Sequence, residues 1–129
     1  MGVRLSPADS EGRTPVRLAV DMNQWESAKF LADSGSDLFI AARDGKTTAE
    51  ITLSKGEPGI RSLFSGGALN AKDPSGNTIL HYAARQGNTA TISLLLSMGA
   101  KKETRNITDE RPLDIALRWN HQDAAALLN

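Results

Sequence analysis

The stretch Gly-Asn-Thr-Ile-Leu-His-Tyr-Ala-Ala at residues 76–84 decides the fold of this 129-residue chain, because parts of it recur along the sequence. Its first residue, Gly76, has counterparts in Gly12 and Gly45, and Asp109 takes the fourth place. The spacings between these four residues are 33, 31 and 33. A period of this length indicates a repeat protein, in which one small structural unit is stacked several times.

Two further positions recur with the same period. Two residues after each start lie Thr14, Thr47, Thr78 and Arg111, and nine residues after these lie Asn23, Gly56, Gly87 and Asn120. A Thr side chain accepts a hydrogen bond at the start of a helix. Gly is the residue best suited to the left-handed backbone at the end of a helix, and Asn is the second best. The pattern therefore predicts one helix between these two positions in every repeat.

The predicted repeats cover residues 9–43, 44–72, 73–105 and 106–129, and each holds a first helix, A, and a second helix, B. We predict A helices at 15–22, at 78–86 and from Pro112, and B helices at 25–34, 58–65, 89–98 and 122–128. Pro15 and Pro112 suit the first helical position, where a missing N–H costs nothing. We expect the start of the last A helix to be weaker, because Arg111 stands in place of the capping Thr.

The second repeat is two residues shorter than the others, and we expect it to be the irregular one. Pro58 can open its B helix, and Gly66 and Gly67 are expected to end it. A kink that reshapes a binding surface and simple drift in a tolerated repeat both explain the shortening, and we favour drift.

The signature at 76–84 resembles the ankyrin repeat, in which a Gly is followed by Thr-Pro-Leu-His and two small residues. The resemblance covers nearly the whole chain and is most specific in the third repeat. It implies an all-α fold, namely an ankyrin-repeat solenoid of helix-turn-helix pairs with projecting hairpin-like fingers and about four repeats. Residues 1–129 would form one such domain. Residues 1–8 match the finger of a preceding repeat, so we expect a longer array. Val16-Arg17, Ala49-Glu50 and Leu113-Asp114 depart from the family's Leu-His pair.

Composition excludes several classes of protein. The chain has 15 basic and 15 acidic residues, so its neutral balance gives no reason to expect binding to nucleic acid. It has no cysteine, which excludes disulfides and thiolate zinc sites. No apolar run approaches the roughly 20 residues that a membrane span needs. We expect no cofactor, no metal and no catalytic residues. The compartment is left open, with the cytoplasm as the default.

Four short motifs have simpler explanations than chemistry. The family resemblance implies that His81 is structural, bonding the backbone and the neighbouring Thr. The stretch 45–47, Gly-Lys-Thr, resembles the end of a phosphate-binding loop, but Ile40 stands where that loop needs a Gly. The sequence 106–108 fits a glycosylation sequon, which is weak as a single match. Lys101, Lys102 and Arg105 form a small basic cluster that is more often a solvated loop than a binding site.

The resemblance also implies where a partner would bind, on the concave side formed by the fingers and the ends of the A helices. By position, the finger candidates are Arg43, Asp44, Lys46, Pro74, Ser75, Asn77, Ile107, Thr108 and Glu110. The candidates at the ends of the A helices are Asp21, Met22, Ser54, Lys55, Arg85, Gln86, Arg118 and Trp119.

Arg118 and Trp119 beside Arg85 are the preferred patch, since Trp and Arg are frequent in binding hot spots. Trp119 packing over the end of the stack is an equally good interpretation. Trp25 is expected to serve packing. The function that the resemblance implies is a non-enzymatic module that binds another protein, as a monomer. The alternative is a targeting or regulatory segment of a larger enzyme or effector whose chemistry lies outside these residues.

Overall fold

The computed structural model describes residues 9–129, which contain eight α-helices and one short 3-10 helix at Gly67–Asn70. In chain order the α-helices are α1 (Pro15–Asp21), α2 (Trp25–Asp33), α3 (Thr48–Lys55), α4 (Glu57–Leu63), α5 (Ile79–Gln86), α6 (Thr89–Ser97), α7 (Pro112–Arg118) and α8 (Gln122–Leu128). Within these described residues there is no strand, and the pairing of Ala41 with Thr47 is an isolated antiparallel bridge. The all-α prediction is confirmed. The predicted finger at 1–8 lies outside the described residues.

The chain divides after Ala68 into two compact units, of which the second is Leu69–Asn129. In the first unit, α1 packs on α2 and α3, and α4 packs on the same two helices. In the second unit, α5 and α8 each pack on α6 and α7. Each unit therefore contains two A-and-B helix pairs. That residues 1–129 act as one domain, with repeats beginning near 44, 73 and 106, stays a prediction.

The predicted helix starts rest on side-chain caps. The hydroxyl oxygen of Thr14 accepts from the backbone N–H of Arg17 at 3.3 Å, and that of Thr47 accepts from the N–H of Glu50 at 3.2 Å. Pro15 and Pro112 occupy the first turn, as expected. Arg111 has no acceptor to offer the helix, but its own N–H donates to the carboxylate of Asp114 at 2.9 Å. The last A helix thus keeps half of a capping arrangement.

The A helices end where the recurring Gly and Asn predict. Asn23, Gly87 and Asn120 have φ angles of 58°, 73° and 61°, in the left-handed region. Gly56 also has a positive φ, 93°, but its ψ of −159° places it in a conformation that is open almost exclusively to glycine. One steric requirement therefore explains why this position accepts only Gly and Asn in all four repeats. The predicted last helical residues Met22, Ser34 and Met98 are the C-caps that follow their helices.

Each repeat begins with a hairpin-like finger that has the same two backbone hydrogen bonds. The first residue of each finger donates its N–H to the carbonyl of the residue four positions later, and its own carbonyl accepts from the N–H three positions later. These first residues are Asp9, Ala42, Asp73 and Asn106. Fingers also bond to their neighbours within a unit. Arg43 donates its N–H to Glu11 O at 2.9 Å, and Ile107 donates to Ser75 O at 3.0 Å.

The cores are mostly aliphatic and rich in alanine, as the low aromatic content predicts. The exception is Phe64, which is fully buried in the first unit. Trp25 is half-buried beside Gly59, where a Cβ would lie only 2.8 Å from the indole ring. The packing role expected for Trp25 is therefore found. In the second unit the buried side chains come from every helix, and Leu69 of the 3-10 helix joins them.

The second repeat differs from its prediction. Its B helix, α4, begins at Glu57 directly after Gly56 and ends at Leu63, two residues before the predicted end at Ser65. Phe64 is the C-cap, and the glycines expected to stop the helix lie beyond it. The 3-10 helix that follows was not predicted. Phe64 and Leu69 are both buried, so tertiary packing rather than glycine sets these boundaries.

Candidate functional site

In the first and third repeats, the third residue after the N-cap of the A helix bonds to the finger of the following repeat. In the third repeat this residue is His81, which is only 1% exposed. Its Nδ1 accepts from the backbone N–H of Thr78 at 3.0 Å, so the ring proton lies on Nε2. Nε2 donates to the carbonyl of Glu110 at 2.9 Å. His81 therefore fastens the third repeat to the fourth, which is the structural role expected for it.

Burial lowers the pKa of His81, because the charged imidazolium would lose its hydration. The bond to the Glu110 carbonyl acts in the opposite direction but is the weaker influence. A proton added at Nδ1 would also point at the N–H of Thr78. A neutral, fully bonded ring in this position is a structural link rather than a proton-transfer group.

Arg17 does the same work in the first repeat, which sequence reasoning missed. Its guanidinium donates to the carbonyl of Lys46 at 3.1 Å, the counterpart of Glu110. It also bonds the carboxylate of Asp44 at 2.6 Å and that of Asp21 at 3.1 Å. The bond from Arg17, followed by one from the Lys46 backbone, lowers the pKa of Asp44 to about 2. Asp44 thus belongs to a structural ion network.

The candidate site with the most functional side chains is a groove of about 380 Å³ in the second unit. Its walls come from two fingers and from the A helices α5 and α7. The lining residues are Ser75, Asn77, His81, Tyr82, Arg85, Asn106, Ile107, Thr108, Glu110, Ile115, Arg118 and Trp119. We call this surface the second-unit groove.

The exposed end of the second-unit groove is formed by Arg85 and Trp119. The guanidinium carbon of Arg85 lies 4.8 Å from the centre of the Trp119 ring, within the range of a cation–π interaction. Trp119 remains 46% exposed, and Ile107 across the groove is 74% exposed. The groove therefore offers a cation and two large apolar side chains to solvent.

The floor of the groove is a polar network whose charges are already satisfied. Arg118 pairs with the Glu110 carboxylate at 3.0 Å. Asn106 donates to the side-chain oxygen of Asn77 at 2.8 Å, and its own oxygen accepts from the backbone N–H groups of Thr108 and Glu110. These bonds fix the two fingers with respect to each other before any partner arrives.

The sequence comparison with known families matches residues 38–129 to ankyrin repeats, in three copies. The chain belongs to the ankyrin-repeat family. The match covers more than half of its length, and the helix pairs and fingers described above agree with it. Ankyrin repeats are in general protein-interaction modules and are typically not enzymes.

Similar proteins carry these repeats inside much longer chains. This ankyrin-repeat chain is 31% identical over 112 residues to the transient receptor potential cation channel subfamily A member 1 homolog of Caenorhabditis elegans. It is 27% identical over 126 residues to the human subfamily A member 1 channel, and 32% identical over 111 residues to human neurogenic locus notch homolog protein 1. These alignments cover 84%, 92% and 84% of the chain but only 9%, 11% and 4% of the relatives.

Eight of the seventeen candidates line the second-unit groove, and these are Ser75, Asn77, Arg85, Ile107, Thr108, Glu110, Arg118 and Trp119. Pro74 and Gln86 are exposed in the same unit but do not line it. Sequence reasoning missed Tyr82, Asn106 and Ile115. Asn106 could have been found, because an Asn or Asp before a tight turn commonly bonds the backbone ahead of it.

The remaining seven candidates lie in the first unit, among them Arg43, Asp44, Lys46 and Lys55. Arg43 bonds Glu11 through its backbone, and Lys55 donates to the carbonyl of Asp21 at 3.2 Å. Asp44 lines a separate cavity of about 410 Å³ with Arg17. Lys46 gives its carbonyl to Arg17, so the Gly-Lys-Thr stretch is the end of a finger followed by a helix cap.

Within residues 9–129, no group of three or more His, Cys, Asp or Glu side chains has the geometry to hold a metal ion. None of the helices in that part of the chain is long and apolar enough to cross a membrane.

Proposed function

We propose that this ankyrin-repeat chain is a non-enzymatic module that binds another protein through the second-unit groove. The observation that carries the proposal is the convergence of Arg85, Trp119 and Ile107 on one groove from three separate segments. Trp and Arg are the residues most enriched among binding hot spots. The guanidinium of Arg85 and the ring of Trp119 hold each other in place, so these two side chains have little conformational freedom left to lose on binding.

The polar floor supports the same proposal. Its hydrogen bonds and the His81 link join the two fingers and the A helices into a preformed surface. A partner that meets a preformed surface does not have to order it, and rigid-body recognition is the expected mode. The exposed face of Trp119 argues against the alternative that it only seals the last repeat.

A second proposal concerns the role of such binding. The relatives are a cation channel and a neurogenic locus notch homolog protein, and the chain spans at most 11% of their length. We propose that the module serves as a targeting or regulatory segment within a longer protein. We also propose that it acts as a monomer, and sedimentation equilibrium tests this.

The experiment is quantitative affinity capture from native lysate with the chain and with the double variant Arg85→Glu, Trp119→Ala. The double variant replaces the groove's cation by an anion and removes its indole. We expect the captured partner to be lost while the helical circular dichroism spectrum and the unfolding midpoint are retained.

The matched control is Lys101→Glu with Leu127→Ala. It makes the same charge change and removes another exposed apolar side chain outside the groove, since Leu127 is 38% exposed. Capture that survives the groove variant but fails in the control would refute the proposed surface and favour the basic cluster around Lys101. Capture that the control variant retains and the groove variant loses supports the groove as the binding surface.

A further inference from the structure

We infer that the second-unit groove recognises an acidic peptide segment, in which a carboxylate side chain binds Arg85 and a neighbouring apolar side chain packs on Trp119 and Ile107. This inference rests on the proposed function and states the chemistry of its partner.

The charge argument starts from which groups in the groove are already paired. Glu110 is held by Arg118 at 3.0 Å, and Asp73, which bonds the groove residue Tyr82, accepts from its hydroxyl. Arg85 differs from both, because no carboxylate among the described residues lies within ion-pair distance of its guanidinium, which instead lies over the Trp119 ring. The charge that a ligand can neutralise at this site is therefore the positive charge of Arg85.

The geometry of Arg85 favours a carboxylate. A guanidinium that stacks on an indole uses its face, which leaves the N–H donors on its edges directed into solvent. Two parallel N–H donors match the two oxygens of a carboxylate. The ring beneath it keeps the guanidinium in place without competing for those donors.

The apolar side chains define the rest of the ligand. Ile107 and Trp119 are the large exposed apolar residues of the groove, 74% and 46% exposed. Their positions on a finger and at the end of α7 place apolar surface beside the cation. A peptide that carries only charge would leave this surface in water, so an apolar neighbour to the acidic residue is required.

A phosphopeptide is the competing ligand, and the charges disfavour it. A phosphate carries nearly two negative charges and is bound in proteins by clusters of arginines. In this groove, Arg118 is committed to Glu110, which leaves a single guanidinium. One cation matches the single charge of a carboxylate.

The test begins with a phage-displayed library of random peptides selected on the immobilised chain. The most enriched peptide is synthesised in three forms, with its acidic residue, with the corresponding amide, and with phosphoserine at that position. We expect the selected peptides to pair Asp or Glu with an apolar residue, and the amide form to bind about 10- to 100-fold more weakly. We expect the acidic form to lose affinity as salt is raised, because the charges are exposed.

Three variants locate the effect on the protein. Arg85→Gln is expected to bind the acidic and amide forms equally, and Trp119→Ala to weaken both forms. Arg85→Lys keeps the charge but not the paired donors, and an intermediate affinity is expected.

The outcomes separate the inference from the proposed function. Peptides that depend on Trp119 but contain no acidic residue, or that bind equally as the amide, overturn the inference and leave the groove as the binding surface. Tighter binding of the phosphoserine form overturns it in favour of a phosphopeptide. Recovery of no groove-dependent peptide also overturns it. Peptides whose binding is changed neither by Arg85→Gln nor by Trp119→Ala count against the proposed surface as well.

Discussion

Gly87 tests the packing between the last two repeats, because it combines a left-handed backbone with a side chain lying directly over it. Its φ is 73°, and a Cβ added there would lie 2.8 Å from Cε1 of His121 and closer still to Nδ1. The same imidazole donates from Nε2 to the carbonyl of Arg85 at 2.9 Å. Replacing Gly87 by Asn therefore forces the ring away and breaks that bond.

The magnitude follows from separating backbone strain from the steric clash. Gly45 has a similar φ of 79° and no atom within 4 Å of its absent Cβ, so Gly45→Asn reports the strain alone. We expect this control to cost less than about 1 kcal/mol, since Asn tolerates the left-handed region. Gly87→Asn should cost about 1–3 kcal/mol more, from the displaced ring and the lost hydrogen bond.

The assay is urea unfolding followed by circular dichroism, with His121→Ala completing a double-mutant cycle. In the His121→Ala background no ring opposes the new side chain, so Gly87→Asn should cost only about as much as the Gly45 control, less than about 1 kcal/mol. Strictly additive costs of the two changes would refute the argument, because they would mean that the ring and the new side chain do not meet.

Three further predictions follow from the same structure. The pKa of His81 is lowered on folding, so the unfolded chain takes up this proton first, and stability should fall as pH drops below about 6.5. Urea unfolding at several pH values should show this pH dependence in the native chain, and the dependence should disappear in His81→Gln. Gly59→Ala should destabilise the fold by about 1 kcal/mol or more despite the better helix propensity of Ala, because its Cβ would meet the indole of Trp25 at 2.8 Å. The unfolding midpoint followed by tryptophan fluorescence should fall, and an unchanged midpoint contradicts the contact. Arg17→Gln should lower the free energy of unfolding by about 1–3 kcal/mol, because Arg17 is buried and makes several hydrogen bonds. Arg61→Gln, which removes an exposed ion pair, should lower it by less than about 1 kcal/mol in the same urea unfolding assay. Equal costs would contradict the bridging role of Arg17.

The features that could be predicted from the sequence are those fixed by local backbone chemistry. A hydroxyl at the N-cap and a left-handed residue at the helix end depend on a few neighbouring atoms, so Thr14, Pro15, Asn23 and Gly87 predict their positions correctly. His81 was assigned its structural role from the family resemblance, and its bond to Glu110 confirms that role.

The features that could not be predicted depend on partners distant in sequence. The role of Arg17 requires Asp44 and the Lys46 carbonyl to be brought beside it, and its residue type differs from the family's His. The early end of α4 depends on the burial of Phe64. Local propensity gives no information on either, since the glycines at 66 and 67 are the strongest local stop signals.

The groove shows the same division. The position of each residue within the repeat predicts the candidates, and several of them line the groove that carries Arg85 and Trp119. Position alone could not say which charges were available, because that depends on the 3.0 Å pair between Arg118 and Glu110. The preferred patch contains both arginines, and it takes the structure to show that Arg118 pairs with Glu110 whereas Arg85 lies over Trp119.

The position three residues after the N-cap links scaffold and site within each compact unit. In both units the first repeat carries a donor there, Arg17 or His81, and the second carries a carboxylate, Glu50 or Asp114. A donor can reach the carbonyl of the following finger, whereas a carboxylate can only turn back to accept from its own N-cap. In the second unit that carbonyl belongs to Glu110, whose side chain neutralises Arg118. His81, which joins the repeats, therefore bonds the backbone of the residue whose carboxylate pairs with Arg118, while Arg85 is the cation of the groove that no carboxylate of residues 9–129 pairs.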